Sequence, residues 1–414
     1  MLDQYFTKPW ALRRHRRRLL GRYLDSFAAE SGKLGYSCQT VQHQCHVIGH
    51  FSDWLERRHI LVGDINAEII EHHVRQHGRR RAARGGAAAA LRRFLDHLRA
   101  RGVAPQPTRL PRGSACEALL DSFEKHLTVQ RRVLPATAAN YASFAREFLS
   151  GCHPDGIPRV RDLCASDVSK FVVTWTRKHP PGRARLLGTA LRSFFRFLLQ
   201  HGEIDVDLAL AVPSVAGWRL AGLPKYLPAE QVERVLASCD RSTAGGRRDY
   251  AILVLLARLG VRAREVACLE LGDLDWGTGE FVVRGKGSRE DRLPLLPEVG
   301  EALADYLRHD RPVCATRRVF VRMRAPFRGI AEHGTVTAIV CAALRRAGLN
   351  PPFRGAHTLR HSLATRMLAG GASMGEIAEV LRHRSPQTTE IYAKVDFGAL
   401  RSLALRWPGK EGGR

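Results

Sequence analysis

A pattern of apolar residues at helical spacing runs twice, in the same order, through the part of the chain before residue 215. It constrains the fold more than any other feature of the sequence. Thr40-Val-Gln…Phe51-Ser-Asp-Trp-Leu55 is mirrored by Thr137-Ala-Ala…Phe148-Leu149, Asp64-Ile-Asn by Asp162-Leu-Cys, and Leu91-Arg-Arg-Phe94…Gly102 by Leu191-Arg-Ser-Phe194…Gly202. The offset between copies grows from 97 to 98 to 100, as loops of unequal length would produce. Leu91, Phe94, Leu95 and Leu98 fall on one helical face. Asn66 and Ser166 read as N-caps. The pattern predicts two small all-helical domains, about 18–104 and 115–215, divided by the proline-rich linker Ala104–Gly113. Residues 1–17, leading into the run Arg13-Arg-His-Arg-Arg-Arg18, read as a basic N-terminal arm. The run Arg79–Arg84 reads equally as a DNA-backbone contact or as a solvated loop.

After Val212-Pro-Ser…Gly222-Leu-Pro224 the periodicity changes. Gln231–Ser238, Asp249–Leu259, Arg264–Leu271, Gly334–Ala347, Leu359–Ala369, Met374–Arg382 and Gln387–Val395 read as helices. Ser373-Met-Gly-Glu376 forms a capping-box pattern, and Ser385-Pro386 an N-cap followed by proline. Glu280–Arg284 and Arg292–Leu296 read as strands of a hairpin around the glycine-rich turn Gly285–Asp291. Residues 223–414 are therefore expected to form a mainly helical domain with a small antiparallel sheet. The whole chain is expected to be mainly α.

The charge balance narrows the partner. Lys and Arg number 66 against 40 Asp and Glu, a net charge of +26, with Arg far in excess of Lys. A GC-rich genome explains Arg over Lys but not the surplus of positive charge, which points to a polyanion such as nucleic acid. The nine cysteines are scattered with no Cys-x-x-Cys pair, so reduced, mostly buried thiols and a cytoplasmic protein are expected. No stretch approaches 18 consecutive apolar residues, and the first ten residues lack the apolar run of a signal peptide, so no membrane association is expected.

Chemistry-bearing residues gather near the end. His357-Thr-Leu-Arg360, His383 and Tyr392 supply two imidazoles, a guanidinium and a phenol within 36 positions, with Arg262 and Lys286 upstream. Each alone is a weak signal, since a lone His-x-x-Arg is usually a surface pair and a lone Tyr usually core. As an ordered set they are what breaking a phosphodiester requires: guanidinium groups for the phosphate, a phenol to attack, an imidazole to take its proton and a lysine to protonate the leaving oxygen. No carboxylate cluster suits a metal, and no cofactor is expected. By spacing alone, His361 competes with His357, and Arg264 with Arg262.

In order and spacing this set resembles the tyrosine recombinase (phage integrase) family. Leu259-Gly-Val-Arg-Ala-Arg-Glu-Val resembles the family's first arginine box, which selects Arg262 with its acidic companion Glu265. The hairpin lysine corresponds to Lys286, the second box His-x-Leu-Arg-His to His357 and Arg360, the third basic position to His383 and the nucleophile to Tyr392. Leu381-Arg382-His383 departs from the Leu-Gly-His often found there, and Ala263-Arg264 departs from the first box. The resemblance implies two N-terminal SAM-like helical DNA-binding domains, the second (115–215) being the core-binding one, and a catalytic domain at 223–414. The first, 18–104, lies outside the family's minimal plan. It further implies a 3′-phosphotyrosyl intermediate at Tyr392, with Glu265 orienting a neighbour and His361 packing behind the site. Implied partners are double-stranded DNA, a homotetramer on paired sites, and sister recombinases or accessory DNA-bending proteins, on DNA of the nucleoid. Phe397, Leu400, Leu403 and Leu405 are expected to form an apolar tail face, docked on a neighbouring protomer or on their own domain. The expected activity is site-specific recombination of integrase or transposase type on a mobile element. The competing readings are a catalytically silent architectural relative and a topoisomerase-like or telomere-resolving enzyme.

Overall fold

The computed structural model describes residues 2–77, 81–106, 115–152, 160–214, 225–285, 290–330, 333–383 and 385–395. The linker stretches 107–114 and 215–224, Lys286 and the tail residues Phe397 to Leu405 lie outside them. The chain divides into two compact units: Pro105–Ala221, and a discontinuous one of Met1–Ala104 with Gly222–Arg414.

The first helical block holds α1 (Pro9–Arg17), α2 (Gly21–Lys33), α3 (Cys38–Arg57), α4 (Ala67–His77) and α5 (Arg81–Ala100). The second unit holds α6 (Ala115–Lys125), α7 (Pro135–Cys152), α8 (Ala165–Thr176) and α9 (Pro181–Gln200). The two halves of the repeat fall on equivalent elements. The Phe51 and Phe148 stretches lie on the long helices α3 and α7, Asp64 and Asp162 each end a 3-10 turn, and Phe94 and Phe194 lie on α5 and α9. Even the helix ends match. Gly102 (φ +68) and Gly202 (φ +69) both take the left-handed conformation, and the next amide (Val103, Glu203) bonds back to the carbonyl of Leu98 or Leu198. A residue with a Cβ is strained there, so a glycine recurs for a physical reason.

Some boundaries differ from expectation. Asn66 does cap α4, accepting from the Ile69 amide at 3.0 Å. Ser166 lies inside α8 instead; the N-cap is Cys164, whose amide is bound by the Asp167 carboxylate at 3.1 Å. The stretch read as an arm is helix α1, with His15 buried and Arg16 and Arg18 paired to Asp25 and Asp53. Arg79 and Arg80 are outside the described residues, and Arg81–Arg84 open α5. The cysteines are free, but only Cys45 and Cys239 are buried, so the expectation of mostly buried thiols is corrected. No helix of the described residues is long and apolar enough to cross a membrane.

Beyond residue 224 come α10 (Ala229–Ala237), α11 (Ala244–Leu259), α12 (Ala263–Cys268), β1 (Leu274–Asp275), β2 (Glu280–Arg284), β3 (Glu290–Pro294), α13 (Pro297–His309), α14 (His333–Arg346), α15 (Ala356–Ala369) and α16 (Met374–Val380). The strands form one antiparallel sheet in the order β1-β2-β3, with Arg284 opposite Glu290 across the hairpin mouth. β3 begins two residues earlier than the apolar pattern suggested, because pairing with β2 sets its register, not the run Leu293-Pro-Leu-Leu296. The expected helix Gln387–Val395 is two 3-10 turns, Pro386–Thr388 and Glu390–Val395. α11 is buried on all sides from Ala251 to Ala257 and packs on α13 and α15, so it forms the axis of the core. The first helical block meets this region within the same unit. The Phe327 amide donates to the Leu34 carbonyl at 2.9 Å, and the Phe327 ring fills the space where a side chain on Gly35 (φ +82) would stand.

Candidate active site

The site is assembled where α11 ends, α12 begins and α15 packs against α11. Gly260 takes the left-handed conformation (φ +57) as it terminates α11, and the chain turns at once into α12. Arg262 is the N-cap of α12, and Glu265 stands one turn in, at the third helical position. The Glu265 carboxylate reaches back to the Arg262 amide at 2.9 Å and to its guanidinium at 2.7 Å. This is a capping box whose helix-side acid is 3% exposed, so the cap also clamps a guanidinium. Arg264 points outward and is exposed, which separates the two arginines that spacing left tied.

Arg360 enters from α15. This helix buries Thr358, Arg360 and Ser362 beside Leu359, Leu363 and Ala364. The Arg360 guanidinium, 5% exposed, donates to the carbonyls of Gly260 and Leu381. Burial, then the neighbouring Arg262 and Arg382 guanidinium groups, push its pKa down to about 10. Arg382 donates to Glu265 at 2.7 Å, while the Arg382 carbonyl accepts from Arg262 at 3.1 Å. Three guanidinium groups thus surround one buried carboxylate. That surplus of buried positive charge suits an anion with two free oxygens, such as a phosphodiester.

Tyr392 is packed into a small apolar cluster with Leu363, Ala364, Ile377 and Leu381 and is 1% exposed. Its hydroxyl lies 2.8 Å from His361 Nδ1. Burial pushes the phenol up to about 12, against the pull of Arg360. His361, expected to pack or support the site from behind, contacts the phenol directly. His357, one turn earlier on α15, is exposed and near enough to help depress His361. His383 Nδ1 lies 2.8 Å from the Thr389 hydroxyl, which links the α16 end to the turn that carries Tyr392. Lys286 lies outside the described residues, but β3 of its hairpin approaches the group: Asp291 Oδ2 is 3.8 Å from Arg382 Nε. The structure therefore brings Arg262, Glu265, Arg360, His361, His383 and Tyr392 together, with His357 at the edge. Sequence reasoning gave no role to Arg382 or to the Gly260 carbonyl. The one available signal was the departure from Leu-Gly-His. Among the described residues no cluster of His, Cys, Asp or Glu is arranged to hold a metal ion.

His361 and His383 are both pushed down to about 4, first by burial and then by neighbouring cationic or imidazole groups. The folded site therefore holds them neutral, whereas the unfolded chain protonates them below a pH of about 6.5. Between about 6.5 and 4 the unfolded state binds more protons, so stability falls as pH falls through that window. Thermal melting should move to lower temperature from pH 7 to pH 5. The shift should be smaller in His383→Gln; an undiminished shift would remove His383 from the effect.

Known proteins resemble this chain along most of its length. Residues 225–398 match the phage integrase family. The putative integrase/recombinase y4rA of Sinorhizobium fredii is 43% identical over 389 residues, covering 94% of both chains. Tyrosine recombinase XerD of Listeria monocytogenes is 31% identical over 283 residues, 67% of this chain and 94% of that protein. Among solved structures, XerH site-specific recombinase bound to palindromic difH in a post-cleavage complex aligns at 21% identity with a TM-score of 0.55. The alignment covers 70% of this chain and 85% of that one.

Proposed function

We propose how a chain that belongs to the phage integrase family, and is a site-specific tyrosine recombinase, divides the reaction among its residues. Tyr392 Oη attacks the scissile phosphorus and forms a 3′-phosphotyrosyl bond, and the bond from phosphorus to the 5′ oxygen breaks. The phenol proton passes to the imidazole beside it, and the departing 5′ oxygen takes a proton from Lys286. The incoming 5′ hydroxyl reverses each transfer, so bond energy is conserved for rejoining. Arg262 and Arg360 bind the non-bridging oxygens and stabilise the pentavalent transition state. Glu265 orients Arg262, while His357 and His383 hydrogen-bond the phosphate.

The observation that carries this reading is the Tyr392 hydroxyl 2.8 Å from His361, beside Arg360 and its companion guanidinium groups. In the DNA-free chain the phenol is buried, protonated at neutral pH and paired with a weak base. A bound phosphate changes both settings. Its negative charge favours a protonated imidazole, and release of the ring from the apolar cluster lowers the phenol toward its ordinary value. The turn 385–395 must move for Tyr392 to reach DNA, so cleavage is coupled to substrate binding. The test is covalent trapping on a nicked duplex carrying the site that the full chain selects from a randomised DNA pool. A protein–DNA adduct on denaturing gels supports the reading, and tight binding without adduct overturns it. His361→Ala should slow adduct formation by roughly 10- to 100-fold while leaving DNA affinity within a few-fold, as measured by single-turnover kinetics and titration.

Double-stranded DNA is the substrate in this reading, and four copies act on two paired sites, because two duplexes present four strands and each chain offers one Tyr392. The relative y4rA carries the name putative integrase/recombinase; the outcome in this reading is movement of a mobile element, by integration or transposition. The two helical blocks, 18–104 and 115–215, act as DNA-binding domains, and sister recombinases or DNA-bending proteins assist on the nucleoid in the cytoplasm. The net charge of +26 fits a large phosphate contact set. A plot of log affinity against log salt should fall with a slope of about −5 or steeper; a flat plot would show that phosphate contacts are few.

A further inference from the structure

Arg382 occupies a backbone position suited to glycine. It follows α16, whose end is closed by the Arg382 amide on the Glu379 carbonyl and the His383 amide on the Ala378 carbonyl, both 2.8 Å. This paired arrangement puts its middle residue in the left-handed region, and Arg382 has φ +53. A side chain is strained there, and glycine is the residue that avoids the strain.

The side chain carries a second cost, because its guanidinium is buried, with 8% of the side chain exposed. Nη1 has no hydrogen-bond partner among the described residues, and Nε has only the longer pairing to Asp291 at 3.8 Å. Glycine would avoid both the strain and the burial. What the arginine side chain provides instead is two links. Nη2 donates to Glu265 Oε2 at 2.7 Å, on the carboxylate that also holds Arg262. The backbone carbonyl at 382, which glycine would keep, accepts from Arg262 Nη2 at 3.1 Å. The side-chain Nε lies 3.8 Å from Asp291 on β3, the strand that follows residues 286–289.

We propose that Arg382 is a positioning residue of the phosphate clamp, locking Arg262 through their shared Glu265 carboxylate and tying the lysine-bearing hairpin to the same carboxylate. The inference rests on the reaction assigned above. It makes two distant chemical groups, the Arg262 guanidinium and the hairpin, adopt their working positions together. A lysine at 382 could keep the charge, but not the two-directional fork that reaches Glu265 and Asp291 at once.

The test uses the full chain and the selected nicked duplex. Arg382→Gly relieves the backbone and removes the guanidinium, so loss of folding does not confound it. Single-turnover adduct formation should slow on the order of 100-fold, with DNA affinity and melting temperature close to wild type. Asp291→Asn should slow the wild-type background roughly tenfold and add nothing in the Arg382→Gly background. In DNA-free protein, Arg382→Gly should raise hydrogen exchange at the amides of residues 290–294. Arg382→Gly cleaving at the wild-type rate overturns the proposal. So does a loss of DNA affinity equal to the loss of cleavage, which would make Arg382 a phosphate ligand. Additive effects of the Asp291 and Arg382 variants, or unchanged exchange in β3, overturn the hairpin link. A wild-type chain that forms no adduct overturns the reaction itself and this inference with it.

Discussion

Tyr392→Phe binds the selected DNA site with near wild-type affinity and forms no covalent adduct, a loss on the order of 10⁵-fold or more in cleavage. The size follows from the chemistry. Arg262, Arg360 and the imidazoles can still polarise the phosphate, but the attacking atom is gone and water is not held in its place. The ring itself is retained, so its packing against Leu363, Ala364, Ile377 and Leu381 survives. The folded state loses only the hydroxyl's bond to His361, worth about 1 kcal/mol. Melting should therefore shift by a few degrees at most. Denaturing gels on nicked duplexes measure the first effect and calorimetry the second. Adduct formation by the Phe variant would move the nucleophile elsewhere in the chain.

Arg360→Ala should be less damaging to cleavage than loss of the nucleophile, though still severe, and far more damaging to the fold. In the proposed reaction its guanidinium stabilises charge on the transition state, a contribution of roughly 10³-fold in rate when one such donor is lost. It also satisfies the carbonyls of Gly260 and Leu381 in the interior. Leaving those two acceptors unpaired costs about 2–6 kcal/mol in total. Arg360→Lys retains the charge but reaches one carbonyl at a time, so it should recover part of the stability and little of the rate. Equal effects of Ala and Lys on stability would show that the paired carbonyls contribute little. Wild-type cleavage by either variant would remove Arg360 from the clamp.

The two arginines illustrate how unevenly the site was legible. Arg262 and Glu265 are three residues apart, so the capping box that joins them is a local fact, visible once a helix start is placed at Ala263. The ordered spacing of His357, Arg360, His383 and Tyr392 was legible for the same reason, as each lies on or beside a short, well-signalled element. The link between Arg360 and Gly260 spans 100 residues and runs through backbone oxygen, which carries no side-chain signature. His361 was assigned a place behind the site because His357 matched the expected pattern. Helix geometry puts both on one side of α15, and only the packing of Tyr392 decides which imidazole meets the phenol.

What the sequence determined by itself was mostly periodic or local. Two helical blocks with matching glycine-terminated helices and a hairpin with a glycine-rich turn follow from propensity and spacing, which act over a few residues, while the ordered set of candidate site residues was legible through its resemblance to a family pattern. The tertiary structure alone decided the rest: burial of the Tyr392 ring, the His361 contact, the replacement of the last helix by 3-10 turns, and the sharing of Glu265 between Arg262 and Arg382. These depend on which surfaces meet across 30 to 120 positions of chain. Burial and long-range charge are properties of the assembled core, and no window of sequence contains both partners.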